Sequence, residues 1–284
     1  MRAISVGALA VLAISACGLA TNGGPAAGKL QVVAAENFWG SIAAQVGAVR
    51  VEVTSIIKNP NADPHDYEPT AADARTVARA GYFIENGAGY DPWAAKLVAA
   101  NPVANRRVLD VGGLVGVSEG GNPHLWYSPG FVDRVVARLA ADFGTDPSTY
   151  ETSGLSDYHS TLAAIREKYS GTPVGATESI FVYVARATGL NLVTPPGYMR
   201  AISAGADPTA ADKAAVDEQV ASRSLKVLVF NAQNSTPDVR AVVDRAEAQR
   251  LPVVAITETL APADLTYQDW QTRQLNALLA ALGG

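Results

Sequence analysis

The sequence predicts an α/β protein of two lobes, each with a four-stranded, mostly parallel sheet flanked by helices, joined by one long rigid linker helix. Short β-branched apolar runs alternate with stretches of helical periodicity along most of the chain, four runs in each half. This alternation indicates parallel sheets covered by helices on both faces. Between the halves, apolar residues recur every three or four positions, as on one face of a helix. These residues are Leu155, Tyr158, Leu162, Ile165 and Tyr169.

The first predicted lobe covers residues 30–146. Its strands are predicted at 30–35, 49–57, 82–85 and 107–111, where the apolar runs are short and rich in branched side chains. Its helices are predicted at 38–46, 70–80, 92–100 and 129–143. Thr70 suits an N-cap, and Pro92 and Pro129 suit a first helical turn, where proline loses no hydrogen bond.

The second predicted lobe covers residues 172–284 and repeats the alternation. Its strands are predicted at 174–177, 190–194, 226–230 and 252–256, and its helices at 180–188, 208–222, 237–249 and 267–282. Residues 147–171 are predicted as the linker helix, because a flexible linker would be rich in Gly or Ser and aperiodic.

The first 29 residues predict export and anchoring. A basic Arg2 precedes an apolar run that ends at Ala16, which is typical of a signal peptide and too short for a membrane span. Residues 14–17, Ile-Ser-Ala-Cys, resemble the lipobox of bacterial lipoproteins. That resemblance implies cleavage before Cys17, acylation of its thiol, and an extracytoplasmic protein anchored to the bacterial membrane. The alternative is an ordinary signal peptide with a chance cysteine.

The composition of the remaining chain limits the partners. Residues 17–29 are rich in Gly, Ala, Asn and Thr, which predicts a flexible tether. Cys17 is the one cysteine, so no disulfide is expected and the fold depends on its core. With 22 basic against 27 acidic side chains, the chain lacks the basic excess that nucleic acid requires, and its charge attracts cations.

Two of the three histidines occur in matching motifs. Residues 64–69 read Pro-His-Asp-Tyr-Glu-Pro around His65, and residues 123–129 read Pro-His-Leu-Trp-Tyr-Ser-Pro around His124. Flanking prolines restrict the backbone and hold each imidazole in a stiff loop, and imidazole suits transition metals. The alternative is a pair of unrelated surface histidines. His159, beside the linker stripe, is expected to be solvated.

Two glutamates complete a candidate site. His65 and His124 follow predicted strands of the first lobe, and Glu178 and Glu258 follow predicted strands of the second. Because ligands of open α/β sheets bind beyond the carboxyl ends of the strands, all four could face one cleft between the lobes. Singly, each glutamate could instead be a helix N-terminal acid stabilised by the helix dipole.

Several side chains near these ligands are expected to support them. Asp66 and Glu68 could orient the His65 ring, or be solvated loop acids. Tyr67 and Trp126 are expected to pack the ligand loops and exclude water. Asn231 and Gln233, with the neighbouring Asn234, are expected to give hydrogen-bonding support at the cleft edge, with plain turn residues as the alternative.

The mature chain resembles the zinc/manganese-type, ZnuA-like solute-binding lipoproteins that supply metal to ABC importers. The similarity lies in residues 34–43, Ala-Ala-Glu-Asn-Phe-Trp-Gly-Ser-Ile-Ala, in both histidine motifs, and in the segments 178–190 and 257–260. Three features depart from the family pattern. Tyr127-Ser128 replaces the usual Leu-Asp, Glu258 stands where Asp is commoner, and the His-rich loop of many zinc members is missing.

The resemblance implies a non-enzymatic receptor with the metal ligands His65, His124, Glu178 and Glu258. Two imidazoles and two carboxylates form a rather hard site, which slightly favours Mn²⁺ over Zn²⁺, with Fe²⁺ as a third candidate. The implied partner is the membrane permease of a metal ABC importer, and the protein itself is expected to be a monomer. An additional adhesin role is compatible with this interpretation.

Two other functions are open alternatives. A secreted metal-dependent hydrolase would keep an open coordination position and a general base, but the chain has neither a His-Glu-x-x-His nor a Gly-x-Ser-x-Gly motif. A receptor for an organic solute would need an aromatic lining, and only 7% of the residues are aromatic.

Overall fold

Two four-stranded sheets, both entirely parallel, form the framework of the computed structural model, which describes residues 28–60, 64, 67–234 and 236–283. The first sheet has the order β2-β1-β3-β4 and the second β6-β5-β7-β8, so the two lobes repeat one topology. The strands are β1 Leu30–Glu36, β2 Val51–Ile57, β3 Tyr82–Glu85, β4 Arg107–Asp110, β5 Pro173–Ala176, β6 Asn191–Leu192, β7 Leu228–Asn231 and β8 Val253–Ile256. The predicted two-lobed α/β class is confirmed.

Eleven α-helices occur in the described part of the chain. In the first lobe they are α1 Asn37–Gly47, α2 Ala71–Val77, α3 Pro92–Ala100, α4 Val111–Val115 and α5 Pro129–Phe143. They continue with α6 Ser156–Tyr169, α7 Val182–Thr188, α8 Pro196–Ser203, α9 Ala210–Ala221, α10 Pro237–Ala248 and α11 Tyr267–Leu282. The sequence did not predict α4 and α8, because α4 has only five residues, two of them glycine, and α8 begins at Pro-Pro-Gly.

The segment between the lobes is not one uninterrupted helix from residue 147. A π-helical turn at Tyr150–Gly154 precedes α6, which begins at Ser156. At Gly154 a Cβ atom would lie 2.6 Å from the Tyr150 ring, so the close turn depends on glycine. The predicted apolar stripe does face the core, since Tyr158, Leu162 and Ile165 are buried, and α6 packs along α11.

One apolar core extends through both lobes. It includes Val32 and Trp39 of the first lobe, Ile165 of α6, and Val229 and Leu278 of the second lobe. Two smaller apolar clusters are separate from it, one within each lobe. The lobes are therefore packed against each other through buried side chains, and the linking segment is not their sole connection.

Hydrogen bonds across the lobe boundary fix the loop that follows β8. The Tyr127 hydroxyl donates to the Thr257 carbonyl at 2.7 Å, and the Leu260 N–H donates to Asn37 Oδ1 at 3.2 Å. This loop belongs to the second lobe in sequence, but its conformation depends on the first. Within the described ranges, none of the helices combines the length and apolar character that crossing a bilayer requires.

Glu85, at the end of β3, should make the stability of the metal-free protein depend on pH. Burial, together with the nearby Asp91 and Asp110, raises the pKa of Glu85 from 4.5 to about 7. The folded state therefore binds a proton that the unfolded state has released, and the stability conferred by that proton is lost as pH rises from 4.5 through 7. Glu85→Gln should remove this loss, about 2 kcal/mol after allowance for partial exposure.

Urea denaturation of metal-free protein at pH 5 and pH 8 measures this effect. The wild type should lose more unfolding free energy between the two values than Glu85→Gln does. The exposed residue Glu247 provides the matched control. Glu247→Gln should lose as much unfolding free energy between pH 5 and pH 8 as the wild type does. If the wild type and Glu85→Gln lost equal unfolding free energy between pH 5 and pH 8, Glu85 would not be the source of the pH dependence.

Candidate metal centre

Three of the four predicted ligands meet in the cleft between the lobes. One donor atom each from His124, Glu178 and Glu258 lies within 4.8 Å of the others, and all three residues are buried. His124 precedes the turn that leads into α5, Glu178 follows β5, and Glu258 lies beyond β8. The convergence follows from the two parallel sheets, whose carboxyl ends both open toward this cleft.

The orientation of the His124 ring is set by Asn122. The Asn122 amide donates through Nδ2 to the Ser179 carbonyl at 2.8 Å, which directs its Oδ1 toward the ring. His124 Nδ1 lies 2.7 Å from that oxygen and therefore carries the proton. Nε2 is then the nitrogen that can ligate a metal, as in sites where the second ring nitrogen is held by an acceptor.

Glu178 is a buried carboxylate with weaker hydrogen-bond support than Glu258. Neither of its oxygens makes a well-formed hydrogen bond among the described residues, although the polar side chains of Asn231, Asn234 and Ser203 lie close to it. Burial, and next the charge of Glu258, raises the pKa of Glu178 well above its usual value, although Asn231, Asn234 and Ser203 partly oppose the shift. The ionised form of such a carboxyl group costs free energy in the metal-free site, and a bound cation stabilises it.

Glu258, in contrast, is held on both oxygens. The Asn231 amide donates to Oε1 at 2.6 Å, and the Tyr90 hydroxyl donates to Oε2 at 2.9 Å. Burial, followed by the charges of Glu258 and Glu36, raises the pKa of Tyr90 well above its usual value, so the phenol stays a donor. Glu258 is therefore a fixed carboxylate, oriented by one residue from each lobe.

Gln233 holds the backbone that carries Glu258. Its Oε1 accepts from the N–H groups of Glu258 and Thr259 at 2.6 and 2.9 Å. Its Nε2 donates to Thr259 Oγ1 at 2.8 Å and to the Pro60 carbonyl. Pro60 belongs to the first lobe, so this one side chain connects the Glu258 loop to the segment that leads toward His65.

The first histidine motif is only partly visible. His65 and Asp66 lie outside the described residues, so their predicted roles stay predictions. Of their neighbours, Pro64 accepts a hydrogen bond from Trp93 Nε1 at 3.0 Å. The Tyr67 ring packs on Trp93 with centroids 4.9 Å apart and its hydroxyl donates to Asp73, while Glu68 is exposed.

Trp126 and His159 lie in contrasting surroundings. Trp126 is fully buried, stacks on Phe38 at 4.0 Å and meets the His124 ring edge-on at 5.5 Å. It forms an apolar wall beside the ligands. His159 lies on α6, pairs with Asp133 at 3.3 Å with 40% of its side chain exposed, and takes no part in the cluster.

Two residues of the site were missed by the sequence analysis. Asn122 precedes His124 by two positions, and an Asn so placed is a recognisable partner for a neighbouring ring. Tyr90 lies in a turn of the first lobe and reaches a carboxylate 168 positions away, for which no local pattern gives a signal.

The arrangement suits a divalent transition metal. An imidazole and two carboxylates are the donors such ions use, and ligands at about 2.0–2.3 Å from one ion lie no more than about 4.5 Å apart. The three donor atoms, all within 4.8 Å of one another, are therefore close to the spacing that one ion requires. An ion bound there as a solute would be largely buried between the two lobes.

Comparison with known proteins identifies the family. Residues 32–281 match the family described as ZnuA, zinc-uptake complex component A, periplasmic. The chain belongs to the ZnuA family. One ZnuA-type relative is the metal ABC transporter substrate-binding lipoprotein SsaB of Streptococcus sanguinis, 28% identical over 205 residues, 63% of this chain and 66% of that protein. Another is FimA of Streptococcus parasanguinis, 26% identical over 266 residues, 84% and 83% of the two chains.

Solved structures show the same ZnuA-type fold. The periplasmic zinc-binding protein TroA of Treponema pallidum superposes with a TM-score of 0.72 at 18% identity, covering 90% of this chain and 99% of that one. FpvC of Pseudomonas aeruginosa, determined with Mn²⁺, gives 0.66 at 18% identity, covering 90% and 98%. At such identities the likeness concerns the fold. The curated relatives are named as substrate-binding lipoproteins of metal ABC transporters, so this ZnuA-family chain is not an enzyme, and the hydrolase alternative is wrong.

Proposed function

We propose that this ZnuA-family protein captures a divalent transition metal in the interlobe cleft and delivers it to the membrane permease of an ABC importer. The observation that carries the proposal is the buried trio His124, Glu178 and Glu258, in which two carboxylates and one imidazole each bring a donor atom within 4.8 Å of the others. A bound metal removes the repulsion between the carboxylates, so the folded protein should bind it strongly.

The proposed ligand set is His65, His124, Glu178 and Glu258. His65 enters through its motif, which matches that of His124 in its flanking prolines. The anchoring of the neighbouring Pro64 and Tyr67 on Trp93 supports a stiff loop at that position. The side chains Asn122, Tyr90, Asn231 and Gln233 would then orient these ligands without touching the metal.

The proposed metal is Mn²⁺, slightly preferred to Zn²⁺, with Fe²⁺ as a third candidate. Two carboxylate ligands make the site hard, which favours Mn²⁺, whereas the intrinsic affinity order favours zinc. The relatives include a manganese transporter lipoprotein, PsaA of Streptococcus anginosus, and a zinc-binding lipoprotein, AdcA of Streptococcus pneumoniae. Geometry and metal supply therefore decide between the two ions.

The proposed location is the outer side of the bacterial membrane, with the chain anchored through lipid on Cys17. Cys17 lies outside the described residues, and the proposal rests on the lipobox-like sequence and on relatives named as lipoproteins. The protein is proposed to act as a monomer. Because α6 and the shared core join the lobes, metal release should need only small rearrangements, without wide lobe opening.

A thermal melt of residues 18–284, stripped of metal and then given Mn²⁺ or Zn²⁺, tests the proposal. A ligand that binds only the folded state adds about 2.7 kcal/mol at roughly 100 times its Kd, which for a chain of this size raises the Tm by about 5–10 °C. The increase should disappear in His65→Ala and in His124→Ala, which each remove a ligand.

His159→Ala is the matched control, because it removes the third histidine, which lies on α6 away from the site. Its metal-induced increase in Tm should equal that of the wild type. If no divalent metal raises the Tm of the wild type, or if His159→Ala abolishes the effect as His124→Ala does, the proposed site is wrong.

A further inference from the structure

The two carboxylates of the centre differ in how their oxygens are held. Both oxygens of Glu258 accept hydrogen bonds, from Asn231 at 2.6 Å and from the Tyr90 hydroxyl at 2.9 Å. Neither oxygen of Glu178 makes a well-formed hydrogen bond among the described residues, although Asn231, Asn234 and Ser203 lie close to it. Glu178 can therefore turn to offer a metal one oxygen or two, whereas any rotation of Glu258 breaks at least one of its hydrogen bonds.

Tyr90 is positioned firmly enough to impose this restraint. It is fully buried, and its ring lies 4.8 Å from Trp126, 6.4 Å from Phe38 and 6.2 Å from the His124 ring, measured between centroids. The hydroxyl cannot follow a rotating carboxylate without disturbing this aromatic cluster. The backbone on the other side of Glu258 is fixed by Gln233, so the carboxylate has little freedom at either end.

We propose that Tyr90 is a specificity-determining residue, which holds Glu258 as a ligand through one oxygen and so limits the coordination number of the bound metal. This inference rests on the proposed function. Zinc in closed protein sites takes four ligands, whereas manganese favours six oxygen and nitrogen donors. With Glu258 restricted to one oxygen, the site reaches a high coordination number less readily, which moderates the preference for Mn²⁺ that its hard ligands create.

Tyr90→Phe tests the proposal with the smallest change, because it removes only the hydroxyl and keeps the ring in the aromatic cluster. Oε2 of Glu258 then becomes available to the metal, and Mn²⁺ should bind more tightly relative to Zn²⁺. The ratio of the Mn²⁺ Kd to the Zn²⁺ Kd should fall about tenfold or more, measured by competition titration. In the Co²⁺-loaded protein, the visible d–d absorption should weaken, since it loses intensity when a tetrahedral site gains ligands.

Tyr127→Phe is the matched control. It also removes a buried tyrosine hydroxyl that bonds to the Glu258 loop, at the Thr257 carbonyl, but does not touch the carboxylate. It should leave both the Kd ratio and the Co²⁺ spectrum at their wild-type values. An equal change in Tyr127→Phe would show that loop stability, and not the hold on Oε2, sets the preference, and would overturn the proposal.

Asn231→Val is the second variant, since it removes the other hydrogen bond that opposes rotation of the Glu258 carboxylate toward binding through two oxygens, and it should shift the ratio in the same direction. If Tyr90→Phe does not fold, the Kd ratio of Asn231→Val tests the proposal in its place. Kd ratios within roughly twofold of wild type and an unchanged Co²⁺ spectrum in the folded variants would overturn the role of Tyr90. Wild-type protein that binds none of the three ions would overturn the proposed function itself, which is a separate result.

Discussion

Replacing Glu178 by glutamine should stabilise the metal-free protein and remove most of its metal affinity. The carboxylate is buried without a well-formed hydrogen bond, and burial together with the charge of Glu258 raises its pKa well above the usual value, against a smaller opposing effect of Asn231, Asn234 and Ser203. A neutral amide of the same shape avoids both costs, so the free energy of unfolding should rise by about 1–3 kcal/mol. Glutamine is a poor metal ligand, so affinity should fall about 100-fold or more.

Chemical denaturation with and without Mn²⁺ or Zn²⁺ measures both effects on one protein. The expected pattern is a higher denaturation midpoint for metal-free Glu178→Gln and a metal-induced increase close to zero. Glu167→Gln, on the exposed face of α6, is the control and should behave as wild type in both states. A metal-free Glu178→Gln that is less stable than wild type would show that the carboxylate has a structural role and contradict the assignment.

Gln233→Leu should lower both stability and metal affinity. The substitution leaves the N–H groups of Glu258 and Thr259 without their acceptor and the Pro60 carbonyl without its donor. Unsatisfied buried groups of this kind cost about 1–3 kcal/mol each, so a total loss of about 2–4 kcal/mol is expected after partial relaxation. Because the same side chain positions the Glu258 backbone, metal should bind about tenfold more weakly or worse.

Gln219→Leu provides the comparison for Gln233→Leu. The Gln219 amide donates one hydrogen bond, to the Val193 carbonyl at 2.8 Å in the second lobe, and makes no contact with the three ligands among the described hydrogen bonds. It should cost about 1 kcal/mol and leave the Kd for Mn²⁺ and Zn²⁺ unchanged. If Gln233→Leu were no more destabilising than Gln219→Leu and bound metal normally, Gln233 would not hold the loop as described.

Much of the fold follows from local patterns, because parallel sheets and amphipathic helices leave clear periodicities. The bounds of α5 and α11 agree with the prediction, since a proline opens α5 and Thr266 caps α11. The interruption before α6 was not predicted, because the π-helical turn depends on how Gly154 meets the Tyr150 ring in space. Short helices such as α4 are equally hard to predict, since tertiary packing overrides their weak propensity.

Local sequence patterns likewise account for only part of the candidate site. The meeting of His124, Glu178 and Glu258 could be anticipated, because each follows a strand and the strand ends of both sheets face one cleft. The groups that orient them could not be anticipated to the same extent. Tyr90 reaches Glu258 from the other lobe, and Gln233 reaches Pro60, so both act through contacts between residues far apart in sequence.

The apolar core that runs through both lobes should make the two lobes unfold together. With Ile165 of α6 and Leu278 of α11 in the same cluster as Val32 of the first sheet, neither half can expose its side of the core without the other. Heat should therefore produce one calorimetric transition with equal van't Hoff and calorimetric enthalpies, and not two. A solute bound in the cleft then protects every part of the chain together, so a protease would find the loaded protein uniformly more resistant and not resistant in one lobe alone.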